Sequence, residues 1–517
     1  MTADTTAVLP SERISVRFGA SLISNIARLG LSMASGLLVA RGLGVARYGD
    51  YQFLLASVAG LAQFIDLGTS QAFYTFVSRQ RRGMRFIAIY GAWLAMQFAV
   101  IVGAIAVLAP TKFVATVWLG QDRWTILLAF VATFFMNELW EAVSQLGEAR
   151  RRTVLVQSAL VVQALAHLAL IAAATYTSLL SVTLVFGLIA CEYGALIAVL
   201  GPPFVRENIE PLDVEDSVRQ VAGEFYRYCK PLFFYALCSF VLLFADRWLL
   251  QRFGGAGQQG FFAVAQQFST VSLLATNAVL QVFWKEIAAA AAAGDHARAA
   301  ILYRSTSQGL YFVAAWVSCL LLPYSQHILT ATVGREYAGA SLPFALMLMY
   351  PLHQSLGRIT GSFFHAVGDT RIYSRIGIGM MLVSLPTAYF LLAPRTALVS
   401  GLGLGAAGLS IKMLAINVLS VNISAYAIAR RLGTAFDWYH QIVILGLLLA
   451  LAFGCRWVAQ ALFGGANLVA AIGAGIVMYV AVSAVGLFRY PEAMGLSRSQ
   501  AGAIARGYRD LVLGGRT

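Results

Sequence analysis

An arginine stands near the middle of the first long apolar run, in Ser24-Asn25-Ile-Ala-Arg28-Leu-Gly30. A charge at bilayer centre costs at least ~2.5–3.5 kcal/mol, so it needs a partner or a wet cavity. Arg28 is about nine residues from one end of the run and about twelve from the other. At ~1.5 Å per residue, that is too deep for its head to reach the interface easily. Asp66 lies on the returning run. Counted from a hairpin tip near residue 46, Arg28 is about 18 residues down and Asp66 about 20. Equal depth allows two readings: an ion pair that locks the first two spans together, or an anion-binding arginine tuned by Asp66. Asn25 is roughly one turn from Arg28, so its amide is expected on the same face.

Other charges fall in or beside apolar runs. Asp246 and Arg247 are adjacent near the end of a run. Residues i and i+1 do not face each other on a helix, so either one faces a cavity or both form an interfacial charge pair. Arg358 is about one turn from His353 and is a candidate to face the central space. Lys412 and Arg456 are single cations suited to anchoring or snorkelling, and Lys285-Glu286 suits a membrane surface. Asp66, Glu138 and Glu192 are candidates to carry a coupling proton, with Glu141 as a further intramembrane acid, and nothing in the sequence selects among them. His167, His353 and His365 read as isolated. There is no metal-ligand spacing, no Ser-His-Asp constellation, no Walker loop and no dinucleotide fingerprint. Gly401-Leu-Gly-Leu-Gly405-Ala-Ala-Gly408 mimics a phosphate loop, but it opens an apolar helix, where close helix packing explains it better. The five cysteines are expected as small core residues, and no cofactor is expected.

The elements that position these residues are membrane helices. The chain has 517 residues, of which 59% are hydrophobic and 12% charged. A soluble protein would carry about a quarter charged residues. Apolar runs of about 20 residues follow one another throughout. The expected fold is all-α and polytopic, with about 14 transmembrane helices. Residues 1–200 would form one six-helix lobe, 201–230 a cytoplasmic linker too short to be a domain, and 231–427 a second six-helix lobe. Residues 428–517 would add two helices and a cytoplasmic tail. The first fifteen residues lack the apolar core of a signal peptide. Residues 11–18 suit either a surface amphipathic segment or a solvated tail.

Basic residues set the orientation. With the N-terminus cytoplasmic, 25 of the 37 Lys and Arg fall in cytoplasmic loops and tails and eight on the opposite side. That asymmetry is the positive-inside pattern and places both termini in the cytoplasm. It also accounts for the net charge of +14 as orientation and contact with anionic lipids, so no nucleic-acid partner is expected.

A repeat orders the chain. Arg41-Gly-Leu-Gly44-Val-Ala-Arg-Tyr-Gly49-Asp-Tyr51 returns 211 residues later as Arg252-Phe-Gly-Gly255-Ala-Gly-Gln-Gln-Gly260-Phe-Phe262. At that offset, Ser239 stands at the Arg28 position and Asn277 at Asp66. Gly147-Glu-Ala-Arg150 resembles Gly368-Asp-Thr-Arg371 at an offset of 221. Six spans separate the copies, so both halves cross in the same sense, as in carriers built from parallel repeats.

These residues resemble a known family. Asn25-x-x-Arg28-x-Gly30, Ala40-Arg41-Gly-Leu-Gly44, Tyr48-Gly49-x-Tyr51 and Asp66-Leu-Gly68 are similar to the first hairpin of bacterial polysaccharide flippases. Ala245-Asp246-Arg247-Trp-Leu, with Gly255, Gly260 and Phe262, is similar to the second. This is the O-antigen and exopolysaccharide branch of the multidrug/oligosaccharidyl-lipid/polysaccharide exporter superfamily. The resemblance implies an inner-membrane transporter, not an enzyme. It would move undecaprenyl-diphosphate-linked repeat units to the periplasmic leaflet by alternating access between two lobes. Arg28 then occupies the place of a cavity arginine. Asn25, Asp66, Asp246, Arg247 and Arg358 are the other candidate cargo contacts. The implied partners are the lipid-linked oligosaccharide with its diphosphate anion, membrane lipids, a coupling ion, and polysaccharide polymerase or export proteins. The rivals are a peptidoglycan-precursor flippase, a cation-coupled drug exporter, which would favour acidic cavity groups, and a membrane polysaccharide polymerase. The last would need a large outer loop, and the longest expected here is only about 110–123.

Overall fold

A computed structural model describes residues 14–80, 82–208, 217–230, 233–270, 283, 286–290, 293–463 and 467–495. Asn277, Lys285, the acids of the linker from Glu210 to Asp216 and the basic tail after 495 lie outside the described residues. The chain divides into two compact units, Met1–Gly260 and Phe261–Thr517.

The first unit opens with α1 (Ile14–Asp66), bent at Gly44, where φ is 73° and ψ 170°. That region of backbone space is open to glycine alone. Its apolar stretch, Ile23–Asp66, is 44 residues long, twice what one crossing of about 20 residues needs. The helix ends at Asp66, and α2 (Thr69–Arg79) starts after Leu67 and Gly68, both with positive φ. The returning run that carries Asp66 is therefore broken after that residue. Next come α3 (Met84–Gly103), α4 (Thr111–Val117) and α5 (Arg123–Phe134). The wide turn Phe135–Leu139 carries α5 into α6 (Trp140–Ala149). Two long helices follow, α7 (Thr153–Tyr176) and α8 (Val182–Asn208).

The segment expected as the linker holds a helix, α9 (Val218–Cys229), started by a Ser217–Gln220 capping box. It docks on the first unit. Phe225 stacks on Phe86 at 5.8 Å and on Tyr90 at 5.7 Å, and meets Phe76 edge-on at 5.3 Å. Arg82 bonds Glu224 at 2.8 Å and lies 4.7 Å from the Phe86 ring centroid.

Then comes α10 (Phe233–Ser269), bent at Gly255 with φ 77° and ψ 176°. Gly44 and Gly255 are 211 residues apart and share one rare conformation, so the repeat read from sequence is a repeat of backbone. The copies also touch. A Cβ at Gly49 would collide with the Ala256 carbonyl, and one at Gly260 would collide with the Val45 carbonyl. Val45 and Ala256 are themselves 211 apart, as are Gly49 and Gly260. The second correspondence does not extend to conformation: Gly368 makes a positive-φ turn, whereas Gly147 lies inside α6.

The second unit contains α11 (His296–Leu321), α12 (Ser325–Val333), α13 (Ser341–Ala366), α14 (Thr370–Leu392), α15 (Gly405–Leu432), α16 (Trp438–Phe463) and α17 (Leu468–Arg489). Its core joins Tyr311, Phe312 and Cys319 of α11 to Leu352 of α13, Leu448 and Cys455 of α16 and Tyr479 of α17. Gly401 and Gly408 press against backbone carbonyls of α14, so the glycine run serves packing. Arg456 donates to the Pro323 carbonyl and anchors a helix end. Among the described residues, ten helices are long and apolar enough to cross a membrane. Side chains such as Leu382, Trp457 and Phe488 are largely exposed on them, as faces turned to lipid should be. Among the cysteines, Cys191 departs from expectation, being exposed where a core position was expected.

Candidate substrate site

Arg28 and Asn25 share α1 in the first unit; Asn25 is exposed and Arg28 partly buried. Among the described residues Arg28 has no ion-pair partner, and its electrostatic neighbour is Tyr193 of α8. The expected pairing with Asp66 does not form. Asp66 turns to the start of α2 instead, accepting from Ser70 N at 2.8 Å, Thr69 Oγ1 at 2.7 Å and Gly68 N at 3.2 Å. The first N–H groups of a helix lack intrahelical partners, and a carboxylate there satisfies them and favours the positive end of the dipole. The broken end of α1 is served from α3, where Gln97 Nε2 donates to Ile65 O at 2.9 Å. Counted from the bend at Gly44, Arg28 is 16 residues away and Asp66 is 22, and the chain breaks at the carboxylate.

Tyr193 links Arg28 to a second group. Its neighbour Glu192 accepts from Gln163 Nε2 at 2.8 Å, and His167 Nδ1 lies 3.0 Å from both Glu192 carboxylate oxygens. The His167 and Glu192 side chains are 16% and 7% exposed, so the pair is nearly dry. His167 is therefore not isolated. Nor are the other two histidines: His353 Nε2 is 3.2 Å from Gln441 Oε1, and His365 packs on the Tyr373 ring. The sequence did hold a signal for the first pair. His167 is nine residues before the end of α7, and Glu192 is ten after the start of α8, across a five-residue turn.

A third group is acidic. Glu138 is 6% exposed within the wide turn Phe135–Leu139 and lies in electrostatic range of Asp66 and Glu141. Turns of that kind recur at functional sites. Among the described residues no cluster has the make-up of a metal site. Asp246 and Arg247 on α10 are both partly buried, and Arg247 is in electrostatic range of Tyr48 on α1. Arg358 belongs to the second unit, beside Tyr350 on the same helix. In the first unit Tyr193 thus lies in electrostatic range of both Arg28 and Glu192, while Asp66 is bonded to the start of α2.

A partly buried guanidinium with no carboxylate on it is a ready anion contact. The sequence matches the polysaccharide biosynthesis protein family over residues 17–283, just over half of the chain and including Arg28, both hairpin tips and the His167–Glu192 pair. The chain belongs to that family. Its fold is similar to that of the lipid II flippase MurJ in an inward closed conformation, with 13% identity and a TM-score of 0.67, over 92% of this chain and 99% of that one. An inward-facing multidrug resistance MATE family transporter of the MOP superfamily aligns at 15% identity and a TM-score of 0.57, over 82% and 98%. A MOP superfamily transporter from Pyrococcus furiosus aligns at 14% and 0.54, over 81% and 95%. Identities this low show the fold alone, an all-α fold like that of MurJ and the MATE transporters. No curated protein matches the sequence.

Proposed function

We propose that this protein is a flippase for polyprenyl-diphosphate-linked oligosaccharides, carrying exopolysaccharide or O-antigen repeat units from the cytoplasmic to the periplasmic leaflet by alternating access. The observation that carries the reading is Arg28, a partly buried cation without an ion-pair partner among the described residues, on the first membrane helix of a polysaccharide-biosynthesis chain. Arg28 holds the diphosphate near mid-membrane, and Asn25 contributes an amide from the same helix. Asp246, Arg247 and Arg358 are secondary contacts. Asp66 holds the α1–α2 break rather than cargo. The residue ranges 1–200 and 231–427 act as the two moving lobes, with both termini in the cytoplasm of a bacterial inner membrane. Outward movement of the anion is favoured by ~2.3 kcal/mol per charge per 100 mV of negative-inside potential. The His167–Glu192 pair is the place for a coupling proton, since it joins a histidine to a carboxylate beside Tyr193. Polymerase and export proteins receive the cargo.

The likeness to MurJ supports a second reading, a peptidoglycan-precursor flippase, because the diphosphate is common to both cargoes. Deletion separates them: loss of surface polymer with viable cells supports the first reading, and loss of viability supports the second. For the site, Arg28→Ala at equal abundance is expected to abolish polymer export and Arg28→Lys to retain part of it. Full export by Arg28→Ala would remove Arg28 from the mechanism.

A further inference from the structure

In the second unit, α15 ends at Leu432 and α16 begins at Trp438. Five residues, 433–437, join them. Trp438 and Tyr439 are 55% and 68% exposed there, and Tyr426 is exposed nearly two turns before the end of α15. Exposed Trp and Tyr at a span end mark the headgroup level of a bilayer. A cavity of about 210 Å³ opens at this level between α11, α15 and α16. An open cleft of about 520 Å³ adjoins it and shares Ile301, Arg304, Gln308, Asp437 and His440.

The shared residues combine opposite charges. Arg304 Nε bonds Asp437 Oδ2 at 3.0 Å, and Gln308 Nε2 donates to the same oxygen. His440 Nε2 is buried and has no hydrogen-bond partner. The Arg304 side chain is 69% exposed and that of Asp437 37%, so their pair is weak and readily exchanged for other partners. Arg304 and His440 thus stand beside the Asp437 carboxylate, with a second carboxylate, Glu492, on the open cleft and the carbon of Ile301 and Phe436 as the adjoining wall.

We propose that this cleft binds a phospholipid of the surrounding bilayer that carries both a phosphodiester and a primary ammonium. The phosphate sits on Arg304 and His440, the ammonium on Asp437, and the first carbons of the acyl chains on Ile301. A free phosphate would leave the apolar wall wet and the Asp437 carboxylate facing a like charge. A lipid lacking the ammonium would leave Asp437 without its partner, and a trimethylated ammonium has no N–H to give it. The bound lipid bridges α11 to the α15–α16 connection, and the proposal is independent of the cargo.

The test is native mass spectrometry of the full-length protein released from nanodiscs holding equal amounts of phosphatidylethanolamine, phosphatidylglycerol and phosphatidylcholine with the same acyl chains. Wild type is expected to retain phosphatidylethanolamine over each of the others by about tenfold. Arg304→Gln is expected to lower retention of all three. Asp437→Asn should bring phosphatidylethanolamine and phosphatidylcholine to equal retention. Should Arg304→Gln fail to fold, the near-isosteric Asp437→Asn still reads the preference. Equal retention of the three lipids by wild type overturns the proposal, as does an unchanged preference in Asp437→Asn. Displacement of the lipid by millimolar inorganic phosphate would make the site one for a free anion and would also overturn it.

Discussion

Replacing Gly49 by alanine should be among the most damaging small changes in the chain. The added Cβ would stand 2.7 Å from the Ala256 carbonyl carbon and 2.9 Å from the Gly260 nitrogen, where ordinary contact begins near 3.4 Å. Relief therefore requires the two backbones to part by more than about 0.7 Å, because the Ala256 carbonyl oxygen lies nearer still to the added methyl. The opposing atoms are backbone within α10, so no side chain can turn aside. In lipid, helices associate largely by close packing of small residues. A gap of 0.5–1 Å forfeits a quarter to a half of each contact's attraction, and overpacking of this kind costs about 1–3 kcal/mol. Gly91 in α3 supplies the comparison, because its Cβ would meet nothing within 4 Å. There alanine should gain about 0.5–1 kcal/mol of helix preference. The two substitutions should thus differ by roughly 1.5–4 kcal/mol. Gly260→Ala should behave as Gly49→Ala does. The double variant should cost clearly less than the sum, since one widening accommodates both methyls. The assay is denaturant unfolding of the full-length protein in mixed micelles, followed by tryptophan fluorescence. A Gly49→Ala midpoint equal to that of Gly91→Ala, or strict additivity in the double variant, would refute the reasoning.

The remaining predictions concern pairings the structure brings together. Removing one member of a buried pair costs about 3–5 kcal/mol, so His167→Ala should destabilise more than Glu192→Gln, which keeps an acceptor for Gln163 and removes the charge. The same unfolding assay reads this, and the reverse order would contradict the pairing. Arg82→Ala removes the bond to Glu224 and the contact with the Phe86 ring, and should loosen α9 by about 1–3 kcal/mol. Hydrogen exchange over residues 218–229 should rise while that of α7 stays unchanged; equal protection in the variant would show that the aromatic contacts of Phe225 hold α9 alone.

Much of this architecture is legible from residue order. Apolar length located the helices, and the spacing of Gly44, Tyr48 and Gly49 located a repeat whose second copy has the same bend. The failures share one cause. Counting depth along an apolar run assumes that the run is continuous. Asp66 ends its helix because the next two residues take positive φ, and no count shows that in advance. The same counting would have found His167 and Glu192, whose helices are unbroken and joined by a short turn. The helix α9 was hidden for another reason: its apolar residues are interrupted by polar ones and make no long apolar run, and the rings it packs on belong to α2 and α3, far away in sequence.

The crossing of the two hairpin tips has a consequence beyond packing. Val45 touches Gly260 and Ala256 touches Gly49, which is one contact written twice with the partners exchanged. That is the signature of an isologous interface, the kind two identical subunits make about a twofold axis. A single copy of the motif therefore carries both sides of the contact. Within one polypeptide the copies are free to diverge everywhere else. At the crossing, each glycine remains tied to the other, because bulk gained on one side must be accommodated by the backbone of its twin.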